Sequence, residues 1–132
     1  MKKIDHIGIA IKSVEEAKKL YKDIFQIYPV FDEEVTDQKV RAIGIKIGES
    51  NLEYLEPTSQ DSPIAKFINK RGEGLHHIAI SVSNLKKILK LMKEKNIRLI
   101  DEEPRMGAEG KQIAFIHPKS MNGILVELIE EQ

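Results

Sequence analysis

One pattern occurs twice in this chain, and no other feature narrows the fold as much. DHIGIAIKSVEEAKKLYKDIFQI and HHIAISVSNLKKILKLMKEKNI follow the same order of strand, polar cap, amphipathic helix and second strand entry. His6 falls on His77, Ser13 on Asn84 and, within one residue, Ile27 on Ile97. In the first copy Ser13 and Glu16 have capping-box spacing, and Ala17, Leu20, Tyr21 and Ile24 then recur at helical period, a face expected to pack against a sheet as core. In the second, Leu85, Ile88, Leu89 and Met92 follow Ser83 and Asn84, and Asn96 suits a left-handed helix end. Strands are expected after each helix: around Pro29 to Phe31, VRAIGIKI and NLEYLEP in one copy, RLID, KQIAFIHP and GILVELIE in the other.

The fold predicted is therefore α+β, with two tandem βαβββ modules. Module 1 covers about residues 1–58 and module 2 about 75–132, within a single domain spanning 1–132. Between them, about residues 59–74, Ser62 as cap, Pro63 at the first helical position and Ile64, Phe67 and Ile68 as an apolar stripe predict a linker helix, with Gly72 and Gly74 as its exit.

Composition removes several function classes. Twenty-one basic and twenty-one acidic residues cancel, which argues against nucleic acid or an anionic membrane surface as partner. No apolar run approaches the ~18 residues of a membrane span, so the expectation is a soluble, cytoplasmic protein. With no cysteine, a metal would have to sit on nitrogen and oxygen ligands.

Side chains alternate across a strand. Ile7, Ile9 and Ile11 thus oppose His6, Gly8 and Ala10, and Ile78, Ile80 and Val82 oppose His77, Ala79 and Ser81. The same parity sets Ile43 and Ile45 against Ala42 and Gly44, and Ile113 and Phe115 against Gln112 and Ala114. The bulky sides are expected to form the core, and the small sides to leave a groove.

NLEYLEP aligned on ILVELIE places Glu53 on Glu127, each a carboxylate in an apolar strand. Buried, such a charge is costly unless a cation or hydrogen bonds answer it. His6, Glu53, His77 and Glu127 therefore form a set related by the repeat, suited to a divalent metal with positions left open. His76 is expected to point the other way, and His117 to start a turn with Pro118.

The two modules carrying DHIGIA, LEYLEP, GLHHIAI and LVELIE resemble the vicinal oxygen chelate, or glyoxalase, superfamily. Within it, DSPIAKFINKRGEGLHHIAISV, EEPRMGAEGKQIAFIHPKS and GILVEL are similar to methylmalonyl-CoA epimerases over essentially the whole chain. The resemblance implies an open, cup-shaped mixed β-sheet around one divalent ion (cobalt, manganese, zinc or nickel) and a homodimer. It implies an isomerase that interconverts the R and S forms of methylmalonyl-CoA, an acyl-CoA substrate, by α-proton abstraction through a metal-stabilised enolate. On that reading Glu127 is both ligand and general base, and Gly110, Lys111 and Gln112 meet the substrate. Where some members carry a further acid on the third strand, this chain has Ala42. Two alternatives stay open: a lactoylglutathione lyase-like isomerase on the same ligands, and a non-catalytic small-molecule-binding member of the superfamily.

Overall fold

The computed structural model describes residues 2–131. They form two compact units, one of residues 7–76 and the other of residues 77–131 together with residues 2–6. Strand β1 (Ile4–Ala10) and strand β5 (Gly74–Val82) run through the division and contribute to both.

In the unit of residues 7–76, β3 (Val40–Ile47) lies between β2 (Phe31–Val35) and β4 (Ser50–Pro57), antiparallel to each. The end of β1 is tied to β4 by Ile11 N donating to Leu55 O at 2.9 Å. Helix α1 (Val14–Leu20) is capped as expected, Ser13 Oγ accepting from Glu16 N at 3.2 Å. Its Val14 packs on Ile43 and Ile45, with Ala17, Tyr21, Leu52 and Tyr54 around them. The linker helix α2 (Pro63–Arg71) starts at Ser62 and leaves through Gly72, whose φ of 78° favours glycine.

In the other unit β5 pairs in parallel with β8 (Val126–Glu130), which pairs antiparallel with β7 (Gln112–Ile116), which meets the short β6 (Arg105–Met106). A parallel pair needs a long crossover, and α3 (Leu85–Glu94), β6 and β7 fill it. Leu85 and Leu89 of α3 pack against Val82, Ala114, Ile116, Val126 and Leu128, with Ile88 and Met92 beside them. Asn84 caps the helix, and Asn96 takes the left-handed conformation at its end (φ 58°).

The repeat extends to a detail missed in the sequence. The helix of each module has its first amide held by a glutamate at the end of that module's last strand: Val14 N by Glu56 at 2.8 Å, and Leu85 N by Glu130 at 3.0 Å. A carboxylate there satisfies an orphan helix donor and complements the helix dipole.

Several expectations are corrected. Leu20 and Ile24 are exposed, not core. Helix α1 ends at Leu20 and a π-helical turn, Tyr21–Phe25, follows, so the wider winding carries Ile24 outward and brings Ile27 to the core instead. RLID forms only a bridge from Leu99 to Ile116, because Asp101 caps the Phe115 amide with its side chain (2.8 Å) and the ladder resumes at Arg105.

The small faces are also not left empty. His6, Gly8, Ala10, His77, Ala79 and Ser81 are buried, as is Val82, while Ile7, Ile9, Ile78 and Ile80 are half-buried. Large side chains from neighbouring strands cover the small ones. Ala79 is packed by Ile113, Phe115 and Ile129. A Cβ added at Gly44 would lie 2.2 Å from the Phe31 ring, so Gly44 leaves room for that ring rather than for a ligand. Ala114 faces α3, and Phe115 takes the other side.

Two outcomes are expected in urea denaturation. Gly44→Ala destabilises by about 1–3 kcal/mol through overpacking, and adding Phe31→Ala recovers part of that loss. The second concerns Asp32, which the Arg41 guanidinium, bound at 2.9 and 2.8 Å, holds at a pKa of about 2, below its ordinary 3.8. A depressed carboxylate stabilises the fold above its ordinary pKa and loses that contribution as pH falls through the folded value. Asp32→Asn therefore costs under ~1 kcal/mol at pH 7 for so exposed a pair, and the difference closes between about pH 4 and pH 2.

Candidate metal centre

Strand register assembles the site. In the unit containing the first six residues, β8 places Glu127 beside Ala79 of β5 and opposite Phe115 of β7. His77, two residues before Ala79, shares that face. His6 enters from β1, whose backbone is held by Ser81 N donating to Lys3 O at 3.0 Å.

His6, His77 and Glu127 are each at most 5% exposed. His6 Nε2 lies 3.0 Å from His77 Nε2 and 3.5 Å from Glu127 Oε2, and His77 Nε2 is 3.2 Å from Glu127 Oε1. All three ligand atoms fall within 4.8 Å of one another. Rings in edge contact fix the imidazoles: His6 against His77 at 5.1 Å, and His77 against Phe115 at 5.5 Å.

Asp5 completes the support. Its Oδ2 accepts from His6 Nδ1 at 2.8 Å. An anionic acceptor keeps a proton on Nδ1 and points Nε2 at the other two groups. The hydrogen bond from His6 holds the Asp5 carboxyl below its ordinary range, against the opposing effect of burial and with help from the charges of Lys111 and Lys3. At Glu127 burial pushes the carboxyl up, but hydrogen bonds and charge from His6 and His77 outweigh it and leave the group well below the usual carboxylate range.

Two imidazole nitrogens and one carboxylate oxygen, converging and buried, with an outer carboxylate orienting one ring, fit a first-row divalent cation. Three protein ligands also leave coordination positions open for oxygen donors. Glu53 is buried on β4 opposite Gly44, in the unit of residues 7–76. The structure thus brings three of the four sequence-derived ligands together within one unit.

The other histidines do as expected. His76 turns to the ring of Phe67 (5.0 Å), and His117 opens a turn, its Nδ1 accepting from Lys119 N at 3.1 Å. Gly110 and Lys111 lie in the turn before β7, where Lys111 N donates to Ala108 O at 3.2 Å, and Gln112 is exposed at the start of the strand. Asp5 was overlooked in the sequence, although its adjacency to His6 in DHIGIA was the available signal.

The model of the Glyoxalase/Bleomycin resistance protein/Dioxygenase superfamily matches residues 5–115. Protein YqjC of Bacillus subtilis is 42% identical over 130 residues, covering 98% of this chain and 93% of that one. The mitochondrial methylmalonyl-CoA epimerase of Dictyostelium discoideum is 35% identical over 130 residues, covering 98% and 78%. This chain belongs to the methylmalonyl-CoA epimerase family of the glyoxalase superfamily. A methylmalonyl-CoA epimerase solved in complex with methylmalonyl-CoA and NH4+ superposes with a TM-score of 0.93 at 35% identity, covering 99% of this chain and 95% of that one. The α+β architecture expected from the repeat is accordingly the glyoxalase fold that the resemblance implied.

Removing the outer carboxylate tests the geometry. Asp5→Ala is expected to weaken manganese or cobalt binding about 10- to 100-fold in calorimetric titration, and Asp5→Asn, which keeps an acceptor, by less.

Proposed function

We propose that this chain interconverts the R and S forms of methylmalonyl-CoA by moving the proton on the carbon between thioester and carboxylate. The observation carrying this reading is the dry His6, His77 and Glu127 group, in a chain so similar over its whole length to an epimerase solved with that thioester.

In this reading His6, His77 and Glu127 hold a divalent cation. The cation would supply an electrophile for the negative charge that grows on the thioester oxygen as the proton leaves. The chain's own groups do the rest. Glu127 offers a carboxylate oxygen to take the α-proton, its flanking imidazoles keep that oxygen in place, and a proton delivered from water to the opposite face of the carbon completes the inversion. Asp5 keeps His6 in one tautomer throughout. Phe115, packed on His77 and opposite Glu127, keeps water from that side of the carboxylate. The turn of Gly110, Lys111 and Gln112 receives the acyl group, and a second copy of the chain completes a homodimer.

The test is exchange in deuterated water. Protein loaded with cobalt or manganese is expected to place one deuterium on the α-carbon of methylmalonyl-CoA and to convert either epimer into the mixture. Glu127→Gln should slow this by at least about 10²-fold. Absence of exchange with cobalt, manganese, zinc and nickel alike would refute the proposal.

A further inference from the structure

The sheet face that carries His77 and Glu127 also carries a cation that the proposed reaction leaves without a task. In β6, Arg105 sits opposite Ile113 of β7; Phe115 is two residues further along, and it sits opposite Glu127 of β8. Opposed residues and those two apart share a face, so Arg105, Ile113, Phe115 and Glu127 project on one side. The Arg105 guanidinium lies over the Phe115 ring at 5.5 Å, and the same ring meets His77 at 5.5 Å. One aromatic ring therefore separates a fixed positive charge from a member of the metal group.

The charge is only weakly engaged within the protein. Its ion pair, Nε to Asp101 Oδ1, is long at 3.4 Å, because Asp101 is committed through Oδ2 to the Phe115 amide at 2.8 Å. Arg105 Nε is buried and makes no hydrogen bond, an unusual condition for a strong donor. The side chain as a whole is 35% exposed, so the rest of the fork has access to a ligand. Position is not left to chance. Gly107 approaches Ile113 so closely that a Cβ there would lie 2.9 Å from its Cγ2, and Gly107 N donates to Lys111 O at 2.8 Å, closing the turn that presents β6.

We infer that Arg105 reads the free carboxylate of the acyl group and so selects carboxylate-bearing thioesters over plain ones. The inference rests on the epimerase reading, since only that reading brings a carboxylate to this face. A guanidinium matches a carboxylate in a two-pronged, charge-assisted geometry that an ammonium cannot reproduce. The ring beneath it keeps the fork flat and partly dry, which strengthens the interaction.

The experiment compares malonyl-CoA with acetyl-CoA, which differ in the carboxylate alone, by calorimetric titration of manganese-loaded protein. Wild-type protein is expected to favour malonyl-CoA. Arg105→Met should weaken malonyl-CoA binding about 10- to 100-fold, leave acetyl-CoA within about twofold, and hold as much manganese as wild type. Arg105→Lys should fall between the two. In exchange assays with methylmalonyl-CoA, Arg105→Met should raise KM by more than it lowers kcat. Equal loss of both thioesters, an unchanged preference in Arg105→Met, or no preference in wild type each overturns the inference while leaving deuterium exchange, and with it the epimerase reading, standing. Wild-type protein that binds neither thioester and exchanges no proton overturns both together.

Discussion

A carboxylate that has lost almost all contact with water must be answered by its neighbours, and the arrangement around Glu127 follows from that requirement. Stripping a carboxylate of solvent costs several kcal/mol unless charge or hydrogen bonds replace it. Here two imidazoles do so, at 3.5 and 3.2 Å, and they are held by other parts of the same unit: His6 by Asp5, His77 by the ring of Phe115. Each of those supports is in turn set by strand register, so a slip of one residue in β8 would turn Glu127 away from both nitrogens.

What could be read from the sequence was what repeats in it. The helix caps at Ser13, Ser62 and Asn84 each rest on a short-range pattern, and the structure makes all three. The histidine in each first strand and the glutamate in each last strand were visible because duplication printed them twice, and the structure gathers His6, His77 and Glu127. Local chemistry of that kind survives in a linear text.

What could not be read depends on distance across the sheet. Phe115 looked like a core residue by parity, yet opposite Glu127 it becomes a wall of the site, and only inter-strand register decides between these roles. Gly44 looked like empty space, whereas Phe31, its partner in β2, fills the position. Leu20 and Ile24 kept helical period, but the helix widens at Tyr21, and periodicity cannot report a change in winding. The glutamates that hold the first helix amides, Glu56 and Glu130, sit in the repeat as plainly as the histidines do. Their task is invisible until each helix start is seen lying over the end of its strand.

The course of the chain bears on when this centre can come into existence. His6 belongs to the first strand and Glu127 to the last, and the parallel partner of β5 arrives only after a helix and two further strands have been made. During synthesis the nitrogen of His6 therefore waits, without its carboxylate, until the 120 residues that separate it from Glu127 have been made. Pairings of such long sequence separation are slow to form, so assembly of the His6, His77 and Glu127 group belongs to a late stage of folding, and an interrupted translation product would carry the histidines without their carboxylate.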